Sequence, residues 1–123
     1  MKYLKISPEY GTNPWWLKFD NEIPQNIDVN NTNFNSGLKN KISEWARVFD
    51  LTLNQDYPPE SGFQSLEDEI KFENNGYSIW ELIKEKYSNN FDAISYHSVI
   101  LNKTFTDTEE YKKRLQDKLS RIK

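Results

Sequence analysis

Two stretches of helical apolar spacing, separated by a double proline, limit the fold of this chain more than any other feature. In the first, Leu38, Ile42, Trp45, Ala46, Phe49 and Leu53 recur at the intervals of one helix face. In the second, Leu66, Ile70, Tyr77, Trp80, Ile83 and Tyr87 do the same. Between them stand Pro58 and Pro59, which cannot continue a helix because proline lacks the amide proton and clashes with the preceding turn. Ser36 is read as the N-cap of the first helix. Ser65 is read as the N-cap of the second, with Asp68 three residues on in a capping-box-like pattern. Asn74-Asn75-Gly76 falls inside the second stripe, where a glycine costs about 1 kcal/mol against alanine. Either the helix breaks there, or Gly76 lets another element approach closely. The reading adopted is one helix from Ser65 to about Tyr87, with room for a kink. Trp45 and Trp80, on the two stripes, are expected in the core.

The flanking segments alternate instead. KYLKI (Lys2–Ile6) and WWLKF (Trp15–Phe19) read as strands. The polar stretch Asp20–Ser36 reads as a long connection with a short strand around Ile27–Val29. FDAISYHSVIL (Phe91–Leu101) reads as a central strand. Thr106 or Asp107 then caps a last helix, about 107–122, with Tyr111, Leu115, Leu119 and Ile122 on its apolar stripe. There is no internal repeat and no domain boundary. The expectation for residues 1–123 is a single α+β domain: a small single-layer sheet with two or three helices packed on it.

Composition bounds the chemistry. The chain has 123 residues, of which 28% are charged and 15% aromatic, enough apolar surface for a modest core. It has no cysteine, which excludes a disulfide scaffold, a thiolate nucleophile and a cysteine zinc site. MKYLKISPEYGTNPWW lacks the apolar run of a signal peptide, and no stretch approaches a membrane span. The expected location is the cytoplasm, with no membrane contact.

Enzyme signatures are sparse. No GxSxG, HExxH or Walker sequence occurs, and the four glycines are isolated. His97, the single histidine, reads as a strand histidine hydrogen-bonded to its neighbours; a general base is the sharper alternative. Glu67, Asp68, Glu69 and Glu73 invite a metal, but acids after a cap are favoured by the helix dipole. No metal and no cofactor is expected. In the basic tail, acids interleave at Glu109, Glu110 and Asp117, giving pairs such as Glu109–Lys113 and Glu110–Arg114. That spacing describes a self-paired helix and argues against direct nucleic-acid binding.

Charge is unevenly spread over a chain of net charge −3. Between Asp50 and Glu73 there are seven acids against Lys71 alone, a local −6; from Asn102 onward, seven bases against four acids give +3. DYPPESGF (Asp56–Phe63) lies in the acidic part. Its prolines stiffen the turn, Tyr57 and Phe63 are placed to pin it, and Gly62 supplies a permissive dihedral. A rigid connector would also hold Asp56 and Glu60 beside the acidic start of the second helix, and a pre-organised acidic ridge loses little entropy on docking.

The order of these features is similar to a known group. Trp45 on a helix, then FDLTLNQDYPPESGF (Phe49–Phe63), Phe72-Glu73, Gly76-Tyr77 and a continuing amphipathic helix resemble small bacterial immunity proteins. These are the antidotes encoded beside polymorphic toxins, including those of contact-dependent growth inhibition. The resemblance runs from Trp15 to His97; the basic C-terminal segment fits it less well. It implies a non-enzymatic inhibitor that binds one cognate toxin domain, often a basic nuclease, in the cytosol. The residues expected to meet that partner are Asp50, Asp56, Tyr57, Glu60, Glu67, Asp68, Glu69 and Glu73. A general protein-interaction module without a toxin, and a small hydrolase using His97 and a carboxylate, are the other classes. Nothing in the sequence specifies an oligomeric state.

Overall fold

The structure is a computed structural model and describes residues 2–9, 15–19, 23, 25–27, 32, 34–52 and 62–122. In chain order the elements are β1 (Lys2–Ile6), β2 (Trp15–Phe19), β3 (Gln25–Ile27), α1 (Ser36–Asp50), α2 (Leu66–Tyr87), β4 (Ala93–Ser98), β5 (Lys103–Phe105) and α3 (Thr108–Ile122). A turn of 3-10 helix, Ser88–Asn90, joins α2 to β4. The fold is α+β, as the sequence suggested.

α1 and α2 each begin where a side chain meets an otherwise unpaired N–H. Ser65 accepts from Asp68 N at 3.1 Å, as expected. For α1 the cap is Asn35 and not Ser36: Asn35 is extended (φ −65°, ψ 161°) and its side chain accepts from Leu38 N at 2.8 Å, while Ser36 is already helical. α1 stops at Asp50, well before the prolines. α2 runs unbroken through Asn74, Asn75 and Gly76. The glycine is explained by close approach: a Cβ there would lie 2.5 Å from Tyr96 Oη and 2.7 Å from Trp45 Cζ2.

The five strands form one mixed sheet in the order β3-β2-β1-β4-β5. β1 and β4 are parallel, with Leu4 opposite Ile94 and Ile6 opposite Tyr96; the other pairs are antiparallel. β4 has a strand on either side, while the middle position belongs to β1. β4 ends at Ser98, and the chain turns back through Asn102 (φ 50°) into β5, a strand not read from the sequence. The third strand spans Gln25–Ile27, two residues earlier than expected.

Strand alternation sorts the side chains by face. Leu4, Ile6, Trp15, Ile94, Tyr96 and Phe105 are buried, and they share a core with Ile42, Trp45, Phe72, Trp80, Ile83 and Tyr111. Trp45 stacks on Phe72 at 4.7 Å, and Trp80 stacks on Tyr96 at 5.4 Å. Each indole N–H finds a carbonyl, Trp45 at Phe72 O and Trp80 at Ile94 O. The other face of the sheet carries Lys5, Lys18 and Thr104, exposed, with Tyr3, Trp16, Ser95 and His97 half-buried.

Candidate partner-binding surface

The acids expected to form one ridge divide between the surface and the core. Asp50 is exposed in the last turn of α1, Glu67 and Asp68 are exposed at the start of α2, and Glu69 is half-buried beside them. Asp56, Tyr57 and Glu60 lie outside the described residues. Glu73, expected with the surface acids, is 1% exposed and belongs to the core.

Four donors converge on Glu73. Tyr96 Oη donates to its Oε2 at 2.5 Å and Tyr111 Oη donates to the same oxygen at 2.9 Å. Ser98 Oγ donates to Oε1 at 2.7 Å, and Ile100 N donates there at 3.1 Å. Ser98 Oγ in turn accepts from Leu101 N at 3.0 Å, which fixes its proton on the glutamate. The side chain therefore acts as acceptor only and links α2 to β4, to the β4–β5 turn and to α3. Burial, with Glu73 as the next cause, pushes the Tyr96 and Tyr111 phenols well above their usual range, so both remain donors. The sequence held a signal for this. Ile70, Glu73, Tyr77 and Trp80 step at helical intervals, so Glu73 occupies a position of the buried stripe.

With Glu73 inside, the exposed or half-exposed charge at this end is Asp50, Glu67, Asp68 and Glu69 against Lys71, four minus one, or −3 among the described residues. Asp68 and Lys71 line a groove of about 610 Å³ between the end of α1 and the start of α2, whose wall also includes Val48, Leu51, Phe63 and Phe72. Phe63 packs on Phe72 at 5.1 Å, and Gly62, at φ +153°, turns the chain into α2 while its N–H donates to Thr52 O at 3.0 Å. Thr52 and Gly62 therefore lie side by side at the groove. Val48, Phe72 and Asn75 continue into a second groove of about 420 Å³ along the two helices.

Two large apolar side chains stand exposed here, Leu51 at 70% and Leu66 at 41%. Leu66 was expected in the buried stripe of α2. It opens the helix, and full burial begins only at Phe72. Leu51 lies off the apolar face of α1, a position from which its exposure was legible.

The remaining candidates sit elsewhere. His97 is half-buried with Nδ1 2.9 Å from Thr104 Oγ1, and burial, with Lys5 next, lowers its pKa. That is the hydrogen-bonded strand histidine of the blander reading. On α3, Glu110 pairs with Arg114 at 3.6 Å as expected, but Glu109 pairs with Lys112 at 3.8 Å and not with Lys113. Lys118 Nζ donates to Ile100 O at 2.6 Å. Much of the basic charge of α3 is thus engaged within the molecule. Among the described residues no group of three acids or histidines is arranged to hold a metal, and no helix is long and apolar enough to cross a membrane.

A family model described as Serratia CdiI immunity protein-like matches residues 2–99. The matched span contains β1 to β4, α1, α2 and the groove between the helices; β5 and α3 follow it. A search of curated proteins gives no match.

Proposed function

The chain belongs to the Serratia CdiI immunity protein-like family, and from that membership we propose that it binds and neutralises one cognate toxin domain in the cytoplasm. The family match over residues 2–99 carries this reading. The protein acts by occlusion and performs no catalysis itself. Its partner is a basic domain, with a nuclease the best fit to an acidic inhibitor. The proposed contact surface is the end of the molecule where α1 hands over to α2: Asp50, Glu67, Asp68 and Glu69, joined on sequence grounds by Asp56, Tyr57 and Glu60. The groove between the helices and the exposed Leu51 and Leu66 support it, because charge steers encounter while buried apolar anchors set the lifetime of a complex.

Co-expression with the toxin domain encoded next to this gene tests the function. Growth should be restored, and continued killing despite well-expressed immunity protein would refute it. Association kinetics at low and high salt then test the surface. Asp56→Lys with Glu60→Lys, and Glu67→Lys with Asp68→Lys, should slow association and flatten its salt dependence. Leu51→Ala with Leu66→Ala should mainly speed dissociation. Unchanged kinetics in all three pairs, with loss in Lys113→Glu/Arg114→Glu, would move the interface to α3.

A further inference from the structure

All three helices pack on one face of the sheet, where Trp45, Trp80 and Tyr111 join the strands' buried residues. On the opposite face the strand register builds a small lattice of bases and aromatics. Lys5 of β1 lies opposite Trp16 of β2, and Tyr3 lies opposite Lys18. Lys5 and Lys18 are therefore diagonal neighbours, with backbones about 7–8 Å apart. Both lysines are exposed, and neither makes an ion pair among the described residues. Tyr3 and Trp16 are half-buried. On the other side of β1, β4 contributes Ser95 and His97. Burial, and then Lys5, hold His97 below its usual pKa, so it adds no charge at neutral pH. No described strand residue of this face is acidic; Glu9, whose charge His97 also senses, follows β1.

The face thus carries +2 on a chain of net charge −3. Charge decides what can lie on it. Two copies meeting face to face would bring four ammonium groups together with no strand acid between them, which works against an isologous pair. The end of the molecule where α2 begins has the opposite character. Glu67 and Asp68 are exposed there, and neither makes an ion pair among the described residues. Leu66, immediately before them, is 41% exposed. The two surfaces match twice: in the sign of their charge, and in the apolar group beside it, Trp16 next to Lys5 and Leu66 next to Glu67. Aromatic anchors flanked by charge are the usual composition of a protein contact.

We propose that the helix-free face of the sheet docks the acidic end of a second copy of this chain, with Lys5 and Lys18 meeting Glu67 and Asp68 and with Trp16 meeting Leu66. The contact is heterologous, so every added copy still offers one face and one end, and association grows with concentration. It covers acids assigned above to the toxin contact; that consequence rests on the proposed function, whereas the association does not, and its test uses no toxin. Sedimentation equilibrium at low salt, from about 10 μM to about 1 mM, spans the affinities of contacts held by exposed charges. The mean mass should climb above that of one chain with concentration and return to it in about 1 M salt, where screening acts within about 3 Å. Lys5→Gln with Lys18→Gln, or Glu67→Gln with Asp68→Asn, should weaken association about tenfold, the scale of two exposed ion pairs. Mixed in equal amounts, these two variants keep one intact face and one intact end, and should form a dimer that grows no further. A wild-type protein that stays monomeric at about 1 mM would overturn the proposal. So would association that survives Glu67→Gln with Asp68→Asn, which would signal a face-to-face pair, or a mixture of the two variants that stays monomeric. A monomer whose Lys5 and Lys18 bind an oligonucleotide would assign the face to nucleic acid and overturn it as well.

Discussion

Replacing Glu73 by glutamine removes one acceptor oxygen and leaves volume and shape almost unchanged. Four donors must then be served by a single oxygen and an amide nitrogen. Ile100 N–H cannot rotate, and the Ser98 proton is fixed by the bond Ser98 accepts from Leu101, so the amide oxygen is held on their side. The nitrogen then faces Tyr96 and Tyr111, whose hydroxyls must turn round to accept, and both phenols lie in a core that is 0–1% exposed. Two O–H donors lose their partner at about 1–3 kcal/mol each, and partial re-pairing with the amide lowers the sum to about 2–4 kcal/mol. With a urea slope of about 2 kcal/mol per molar, the midpoint should fall by about 1–2 M at constant slope. Tryptophan fluorescence follows the transition. Were Glu73 part of an exposed ridge, the same change would move stability by no more than about 0.5 kcal/mol. A midpoint equal to that of the wild type would therefore refute the buried network.

Gly76→Ala should destabilise by up to about 2 kcal/mol, the about 1–3 kcal/mol of overpacking against Tyr96 and Trp45 less the roughly 1 kcal/mol that alanine contributes to helix propensity; a more stable variant in the same urea assay would show that the two side chains yield. Alkaline pH should unfold the protein. Burial raises the pKa of Tyr96 and Tyr111 in the fold, so their contribution is complete below about pH 10, where unfolded tyrosine ionises, and is lost as pH rises beyond it. Absorbance of tyrosinate should therefore rise for the last tyrosines together with loss of structure, and ionisation of all seven in an intact fold would contradict the burial argument.

The helices and the first two strands were legible because their signals are local. Apolar spacing gave α1 and α2, alternation gave β1 and β2, and Ser65 with Asp68 marked a cap within three residues. β5 was not legible for the opposite reason. Three residues, Lys103–Phe105, carry little pattern, and their strand exists through pairing with β4 across a turn that places Asn102 at positive φ. The N-cap of α1 was missed by one residue because Asn35 and Ser36 are both good caps, and only backbone conformation separates them.

Glu73 shows why counting charge along a chain overstates a charged surface. Within Asp50–Glu73 the count is −6, yet removing Glu73 to the core leaves −5, of which Asp56 and Glu60 contribute two in the part not described. The −3 that remains is spread over the end of α1 and the start of α2, near a groove that Asp68 and Lys71 both line and whose wall includes the exposed Leu51. Such a surface divides its labour physically. Exposed acids in water interact weakly at contact but act over about a Debye length, so in the proposed complex they would set how fast a basic partner arrives. The groove and the leucines would act only at contact, so in that proposed complex they would set how long the partner stays. Glu73 serves neither step directly. It ties α2, a wall of that groove, to β4 and α3, and thereby would hold the proposed contact surface in one shape before a partner meets it.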